Sequence, residues 1–190
     1  STMRERMEWP ESLFARLPKL KLLCVTGLHQ RLLDQAAATK HGVVVSHTTA
    51  GASAPATVEL CLALILAGAR NVAREDRDMR SGGWQSGLGM TLHGRRLGVV
   101  GLGRIGARVA ALAKAMGMEP VAWSPNMTAE TAAAHGAELV DKETLFRTSD
   151  VVSLHLVLGE RSKHIVGPRE FDQMQEHAVL VNTSRGPLID

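Results

Sequence analysis

Apolar residues along this chain fall into short runs, and amphipathic patterns with helical spacing separate one run from the next. From residue 97 onward the alternation is regular. The predicted strands are 97–100, 120–123, 138–140, 151–156 and 179–182. The predicted helices are 105–116, 129–135, 142–147 and 168–175. Because these strands lack a two-residue alternation, they predict a parallel sheet with helices on both faces.

The first part of the chain predicts a smaller α/β unit. Its predicted elements are a strand at 20–26, a helix at 34–41 that Gly42 closes, and a strand at 43–45. Such a β-α-β unit has too few strands for a core of its own. We therefore assign residues 1–50 to part of one domain and residues 51–190 to a second.

Between these regions the pattern predicts one long helix at 55–81. Ser53 or Ala54 is the predicted cap, Pro55 suits the first turn, and a Gly-Gly pair follows the end. Its first half is apolar on nearly every face and is expected to be buried, in a core or at a subunit interface. Its second half is charged and is expected to be exposed on at least one side.

Composition narrows the function classes. Apolar residues make up 45% and charged residues 22% of the 190 residues, which is typical of a globular protein. The net charge is +3 and the pI is near 9.2, but the two signs are interspersed rather than gathered in a basic stripe. With only three Trp, three Phe and no Tyr, the chain also has few residues for a base-stacking surface. Nucleic-acid binding is not expected.

Cys24 and Cys61 lie in apolar runs and are interpreted as buried thiols in a reducing compartment. No close His/Cys spacing indicates a metal site. The first residues are charged and have no signal-peptide core, and the longest apolar stretch, 58–67, is too short to span a bilayer. We expect a cytoplasmic protein with neither membrane nor nucleic acid as a partner.

A Gly-x-Gly-x-x-Gly sequence joins the strand at 97–100 to the following helix. Gly101 tolerates unusual turn dihedrals, Gly103 leaves the backbone open to a pyrophosphate, and Gly106 lets the helix lie close to the strand. The helix N-terminus offers unpaired N–H groups to an anion. This context predicts a dinucleotide site; the alternative is a glycine-rich turn in some other α/β domain.

The next strand lacks the acidic end residue that usually binds the adenosine ribose. Ser124 and Asn126 stand there instead, and either can hydrogen-bond a ribose without repelling a 2′-phosphate. No Arg or Lys lies nearby in the sequence to attract one. The cofactor is predicted to be NAD(H), and NADP(H) stays open.

Two loops at strand ends contain candidate substrate groups. Arg185 follows the strand at 179–182 and can bind a carboxylate while polarising a neighbouring carbonyl; the alternative is a local ion pair. Residues 26–30 follow the first strand and form either an anion-binding loop or an ordinary connection. His155, also at a strand end, could place an imidazole beside the cofactor, but it is interpreted as a packed core residue.

Together these motifs resemble the D-isomer-specific 2-hydroxyacid dehydrogenases. The stretches that carry the resemblance are 92–106, 153–158, 181–190 and Thr57-Val58-Glu59 in the long helix. The resemblance implies a Rossmann-type doubly wound parallel sheet with a partial flavodoxin-like substrate domain, and an active site in the cleft between the two. It also implies hydride transfer between a nicotinamide cofactor and a small 2-oxo or 2-hydroxy acid, in a homodimer formed through the helix near Pro55.

The resemblance also implies roles for individual residues. Arg185 is the catalytic residue that binds the carboxylate and carbonyl of the substrate, and the Leu28–His29 backbone helps to hold that carboxylate. Arg104 and Ile105 contact the pyrophosphate, and Ser124 faces the ribose. The remaining cofactor-binding residues are Gly101, Gly103, Gly106, Leu156, Val157, Thr183, Ser184 and Arg185 itself.

The chain departs from the family pattern at several positions. Ser124 replaces an acid, Val157 and Gly159 replace a Pro and a Thr, and residues 26–29 lack a glycine of the usual anion loop. The family's proton-donating His and its assisting carboxylate lie downstream of the Arg motif, and no local His–carboxylate pair is expected to replace them. The 190-residue chain is therefore expected to be an inactive fragment.

Two alternatives accompany this interpretation. A formate dehydrogenase shares the scaffold and the Arg, and differs in its substrate. A non-enzymatic, NAD(H)-responsive binding protein of the corepressor type uses the same scaffold without turnover. Turnover of formate would favour the first alternative. A peptide-binding groove and weak turnover would favour the second.

Overall fold

The computed structural model describes residues 7–25, 32–48 and 53–190. Its internal contacts divide the chain into two units, Ser1–Ser53 and Ala54–Asp190. Among the described residues, no single helix is both long and apolar enough to cross a bilayer. One pair of helices, bent by 62° at their junction, reaches that length and composition together.

The first unit is a β-α-β arrangement with one additional helix. Its elements are α1 (Glu11–Ala15), β1 (Leu22–Val25), α2 (Gln35–Lys40) and β2 (Val44–His47). The two strands pair in parallel, and the side chain of Asp34 caps α2 by accepting from Ala37 N at 2.8 Å. The interpretation of Cys24 as a buried thiol was wrong, because the residues of β1 alternate between its two faces and Cys24 lies on the exposed face with Leu22.

The second unit contains the remaining elements. Its helices are α3 (Ser53–Ala69), α4 (Val72–Arg80), α5 (Arg104–Ala115), α6 (Ala129–Ala134), α7 (Lys142–Thr148), α8 (Pro168–Gln173) and a 3-10 turn (Gly186–Leu188). Its strands are β3 (Arg96–Val100), β4 (Glu119–Trp123), β5 (Glu138–Leu139), β6 (Val151–Leu154) and β7 (Val179–Asn182). Each predicted element from residue 97 onward is present, with bounds that differ by at most two residues.

The five strands form one parallel sheet in the order β5-β4-β3-β6-β7. The chain moves outward from β3 on one side and then crosses over to β6 on the other. This reversal is the topological switch point, where open α/β sheets bind ligands at the carboxyl ends of their strands. The α/β fold with a doubly wound parallel sheet is therefore confirmed.

Hydrophobic clusters cover both faces of this sheet. Leu97 and Val99 of β3 pack with α3 and α5, whereas Val100 packs with Leu145 and Phe146 of α7. Consecutive residues of a strand point to opposite faces, so each strand must be apolar on both sides. This explains the absence of a two-residue alternation in these strands.

The single helix predicted at 55–81 is instead two helices. Asn71 takes a left-handed conformation with φ 53°, which Asn tolerates better than most residues. The Ala69 carbonyl accepts a hydrogen bond from Met90 N at 2.6 Å, so a later segment satisfies the end of α3. The break separates an apolar helix from a charged one, and α4 has no buried residue.

Within the described part of the chain, α3 is buried along one stripe. One stripe faces the sheet, formed by Val58, Cys61, Ile65 and Ala69. The leucines at 60, 64 and 66 are 54%, 44% and 42% exposed. The sequence predicted burial on nearly all sides, whereas the surfaces within the described chain cover only one side of the helix.

A buried polar network joins α3 to the end of β6. Ser153 Oγ lies 3.1 Å from Cys61 Sγ and 2.8 Å from His155 Nε2. His155 N also donates to Val100 O at 2.8 Å, which continues the pairing between β6 and β3. Burial lowers the pKa of His155 to about 4, so the ring is neutral at pH 7. His155 is thus a packed residue that fastens the carboxyl end of β6.

This burial predicts a pH-dependent stability. The folded pKa of His155 lies below that of an unfolded histidine, so the unfolded chain binds the proton first and stability falls as the pH drops from about 6.5 to about 4. The contribution at full extent is about 3 kcal/mol. We expect His155→Gln to flatten this part of the pH profile of the free energy of unfolding, measured by urea titration.

His135→Gln serves as the control, because His135 is exposed at the end of α6. It is expected to keep the wild-type profile. An identical pH slope in the wild type and in His155→Gln contradicts the assignment of the proton uptake to His155.

Candidate functional site

The loop between β3 and α5 is built from three glycines with different constraints. Gly101 has φ +96°, and a Cβ there would lie 2.9 Å from Leu156 Cδ2. A Cβ on Gly106 would lie 2.2 Å from the Gly101 carbonyl oxygen, because the first turn of α5 rests directly on this loop. A Cβ on Gly103 would meet nothing within 4 Å. Two glycines are required by the fold, and the third leaves the backbone open on its outer side.

The first turn of α5 has the properties of an anion site. Gly103 is the N-cap of this 12-residue helix, and no side chain caps it with a hydrogen bond. Arg104 is exposed and Ile105 is half-buried at the start of the helix. The N–H groups of a first turn point out of the helix and carry partial positive charge. A phosphate fits this position by both geometry and charge.

A cleft of about 440 Å³ opens at the carboxyl ends of β4 and β6, the two neighbours of β3 in the sheet. Ser124 lines it from the β4 side, and Leu156 and Val157 line it from the β6 side. The other lining residues are Pro125, Asn126, Gly159, Glu160, Arg161 and Ser162. The predicted cofactor-binding residues 124, 156 and 157 therefore meet in one cavity at the switch point of the sheet.

The β6 side of the cleft is a turn that one side chain holds in place. Ser162 Oγ donates to Val157 O at 2.6 Å and accepts from Gly159 N at 2.7 Å. Lys163 N donates to Gly159 O at 2.8 Å and closes the turn. Ser162 was not among the predicted site residues. A serine three residues after a glycine in a loop is the available signal, because serine hydroxyls often bond to nearby backbone groups.

The same turn corrects an expectation about charge. The sequence has no Arg or Lys close to Ser124, so no positive charge was expected there to attract a 2′-phosphate. The structure brings Arg161 to the cleft that Ser124 lines, from a separate segment of the chain. Sequence proximity could not show this, because the two segments meet only through the order of β4, β3 and β6 in the sheet.

The Arg185 loop follows β7, at the same edge of the sheet. Asn182 fixes it with two bonds, accepting from Ser184 N at 3.0 Å and donating from Nδ2 to Arg185 O at 2.8 Å. The guanidinium donates to Ser184 O at 2.8 Å. Thr183 is half-buried between these residues. Asn182 was not among the predicted site residues, although an Asn directly after a strand commonly forms such a turn.

Leu156 connects the glycine loop to the Arg185 loop. Its side chain would contact a Cβ on Gly101, and its carbonyl accepts from Ser184 Oγ at 2.7 Å. The predicted site residues of the second unit thus lie along one edge of the sheet, after β4, β3, β6 and β7. The predicted substrate-binding residues Leu28 and His29 lie outside the described residues.

Two His–carboxylate pairs occur in the second unit, which sequence spacing did not reveal. His177 Nε2 lies 2.8 Å from Asp150 Oδ1, directly before β6 and therefore at the amino edge of the sheet. His164 Nδ1 lies 3.2 Å from Asp190 Oδ1, and both side chains are exposed. The first pair is about 13 Å from the Arg185 edge, by the length of a four-residue strand.

The Asp150 pair is part of a structural cluster. Burial raises the pKa of Asp150, but hydrogen bonds from His177, the Arg96 amide and Arg95 outweigh burial and hold that pKa below its usual value. Arg95 Nη1 lies 2.9 Å from the carboxylate, and Arg96 N donates to it at 2.8 Å. These contacts join the starts of β3 and β6, so the cluster stabilises the edge opposite the site.

Comparison with known proteins places this geometry in a family. Residues 62–190 match the family model described as "D-isomer specific 2-hydroxyacid dehydrogenase, NAD binding domain". A glyoxylate reductase of Thermococcus litoralis is 38% identical over 189 residues, which are 95% of this chain and 57% of that protein. A D-3-phosphoglycerate dehydrogenase of Methanocaldococcus jannaschii is 37% identical over 175 residues, or 90% of this chain and 33% of that protein.

Solved structures of similar proteins have the same fold as this chain. The crystal structure of a phosphoglycerate oxidoreductase from Vibrio cholerae superposes with a TM-score of 0.91 at 36% identity, over 98% of this chain and 60% of that one. The apo structure of D-lactate dehydrogenase from Escherichia coli gives a TM-score of 0.87 at 32% identity, over 98% and 60%. The chain spans a little over half the length of the glyoxylate reductases it matches. The glycine loop, the sheet and these similarities together show that the chain belongs to the D-isomer-specific 2-hydroxyacid dehydrogenase family and that residues 62–190 match its NAD-binding domain.

Proposed function

We propose that this chain belongs to an oxidoreductase that transfers a hydride between NAD(H), or NADP(H), and a small 2-oxo or 2-hydroxy acid. The observation that carries the proposal is the position of Leu156, which contacts the glycine loop on one side and the Arg185 loop on the other. A diphosphate site and a carboxylate-binding cation thus share one edge of the sheet. The similarity to glyoxylate reductase and D-lactate dehydrogenase supports the same class of reaction.

In this proposal the cofactor diphosphate binds the amides of Gly103, Arg104 and Ile105, where the open side of Gly103 admits it. Its adenosine end occupies the cleft lined by Ser124, Leu156 and Val157. When bound, the nicotinamide supplies the hydride or accepts it. Thr183 and Ser184 line the path toward Arg185.

Arg185 is the proposed substrate-binding and catalytic residue. A guanidinium binds a carboxylate with two parallel hydrogen bonds and polarises an adjacent carbonyl oxygen, on which negative charge develops as the hydride arrives. The Asn182 side chain holds the backbones of Ser184 and Arg185, so the loop is ordered before the substrate binds. Leu28 and His29 remain proposed contributors to the carboxylate site.

We assign no proton transfer to the two His–carboxylate pairs of the second unit. The His177–Asp150 pair lies at the opposite edge of the sheet, and the His164–Asp190 pair is exposed to solvent. Reduction of a carbonyl needs an acid that protonates the nascent alkoxide. Cofactor binding without efficient turnover is therefore the behaviour that we propose for the 190-residue chain.

Two free cysteines support a reducing compartment, which we propose to be the cytoplasm. Cys24 is exposed and Cys61 is buried, and neither forms a disulfide. Burial raises the pKa of the Cys61 thiol, which makes it a poor nucleophile.

A pair of glycine variants tests the cofactor site. We expect Gly103→Val to fold normally, because its side chain meets open space, and to raise the Kd for NADH roughly tenfold or more by blocking the diphosphate. Gly106→Ala is the matched variant, which meets the Gly101 carbonyl and is expected to lose about 1–3 kcal/mol of stability. Thermal denaturation and quenching of tryptophan fluorescence by NADH are the measurements.

The contrast between the two variants decides the result. If Gly103→Val melts like the wild type and binds NADH equally well, the diphosphate does not lie against this loop. A Gly106→Ala protein that melts like the wild type contradicts the close packing of α5 on the loop.

A turnover assay tests the reaction. We expect the chain to bind NADH and to oxidise it slowly or not at all with glyoxylate, hydroxypyruvate or pyruvate, because no described group is assigned the proton transfer. Arg185→Lys is expected to weaken binding of oxalate, a mimic of 2-oxo acids, to the NADH-bound chain about tenfold by removing the bidentate contact. Loss of NADH absorbance and calorimetric titration are the readouts.

Formate is included to separate the two substrate classes. Reduction of NAD by formate, together with no binding of oxalate, contradicts the 2-hydroxy acid assignment. Brisk turnover with glyoxylate would show that a group of this chain does transfer the proton. The variant His164→Gln then tests whether the His164–Asp190 pair is that group.

We also propose that two copies associate through α3. Leu60 and Leu64 lie one turn apart on its exposed face. Leu66 is exposed as well, on another side of the helix. Adjacent exposed apolar side chains of this size commonly mark an interaction surface. Trp84 and Leu88, in the segment after α4, are 79% and 88% exposed.

Substitution of this face tests the association. We expect the wild type to sediment as a dimer at micromolar concentration, and Leu60→Glu/Leu64→Glu to sediment as a monomer, because two carboxylates would be buried without partners. Leu112→Glu is the matched control, a leucine of similar exposure (45%) on α5. A wild type that is monomeric throughout, or a double variant that stays dimeric, refutes the proposal.

A further inference from the structure

We propose that Arg161 and Ser124, on the two walls of the cleft, form a subsite for the 2′-phosphate of NADP(H), so that this chain binds the phosphorylated cofactor as well as NADH. This inference rests on the proposed function, because it assumes that the adenosine end of a dinucleotide occupies the cleft. It names the side chain that recognises the phosphate, and that side chain lies outside the usual position after β4.

The β4 wall of the cleft carries no negative charge. Ser124, Pro125 and Asn126 follow Trp123 directly, and all three line the cavity. A carboxylate at this position accepts hydrogen bonds from both ribose hydroxyls and repels a 2′-phosphate. A hydroxyl and an amide can donate to phosphate oxygens instead. This wall therefore admits the phosphate but does not attract it.

The attraction comes from the β6 wall. Arg161 is exposed, lines the same cavity and forms no ion pair within the described part of the chain. Some other arginines of the second unit are paired, as Arg95 is with Asp150 and Arg169 with Glu143. A guanidinium that is charged at every physiological pH matches a phosphate with two parallel hydrogen bonds.

The turn that carries Arg161 is ordered in advance. Ser162 bonds to the backbone at Val157 and Gly159, and Lys163 N closes the turn onto Gly159 O. Arg161 lies between the residues that make these bonds. A cation on an ordered turn loses less conformational freedom on binding than one on a mobile loop. The backbone of the subsite is therefore in place before the cofactor arrives.

One acidic group opposes this subsite. Glu160 precedes Arg161 on the same turn and also lines the cleft. Its carboxylate repels a phosphate, so the two neighbours have opposite effects on the phosphorylated cofactor. The expected result is acceptance of both cofactors rather than strict selection of one, and neutralising Glu160 is expected to favour NADPH.

The test compares four variants of the 190-residue chain by the Kd for NADH and for NADPH, measured by tryptophan quenching. Arg161→Gln is expected to raise the Kd for NADPH about tenfold or more, because it removes a charge-assisted contact, and to raise that for NADH by less than about threefold. Ser124→Asp is expected to weaken NADPH selectively as well. Glu160→Gln is expected to tighten NADPH binding.

Lys163→Gln is the matched control. It removes one positive charge from the same turn, at an exposed residue that does not line the cleft. We expect it to change the ratio of the two Kd values by less than about twofold, because an exposed charge that makes no direct contact is screened by salt. An equal effect of Lys163→Gln and Arg161→Gln assigns the preference to general charge and overturns the subsite.

The outcomes distinguish failure of the proposed function from failure of the 2′-phosphate subsite. If the wild type binds neither NADH nor NADPH, the proposed function fails. If it binds NADH but not NADPH, or if Arg161→Gln weakens both equally, the proposed function stands and the 2′-phosphate subsite is wrong. Selective loss of NADPH in Arg161→Gln, with Lys163→Gln unchanged, supports the subsite.

Discussion

The contact between the first turn of α5 and the carbonyl of Gly101 is the constraint on which the site depends. A Cβ on Gly106 would lie 2.2 Å from that oxygen, so the helix rests on the loop at a distance that only glycine permits. This contact fixes the direction of α5 and places its first amides at the carboxyl edge of the sheet. The cleft beside β3 follows from the same geometry, since the strand order reverses there.

Hydrogen bonds link the other loops of the site to the glycine loop along the carboxyl edge of the sheet. His155 N continues the pairing with β3, Leu156 O accepts from Ser184, and Asn182 holds the backbone of Arg185. The glycine loop, the β6 end and the Arg185 loop are thus neighbours through named bonds. At the other edge Asp150 joins the starts of β3 and β6, so each end of the sheet has its own fastening.

The sequence predicted the sheet well because its signals are local. Strands at 97–100 and 179–182, and the glycine turn between strand and helix, depend on residues adjacent in the chain. The break at Asn71 was missed, because it depends on a left-handed residue and on Met90 reaching back to Ala69. Arg161 was missed for a similar reason: it meets Ser124 only after β6 has crossed to the far side of β3.

The inner and outer faces of α3 have different surroundings, and this has a consequence for regulation. Cys61 on the inner face contacts Ser153, which holds the end of β6, while leucines occupy the outer face. If copies associate through those leucines, and if the end of β6 shifts when nucleotide binds, both events act on α3 from different faces. Linkage then requires any such effect to be mutual: if nucleotide binding to both copies changes the association constant, association changes the affinity of each site in the same direction, by the square root of that factor when the two sites are equivalent.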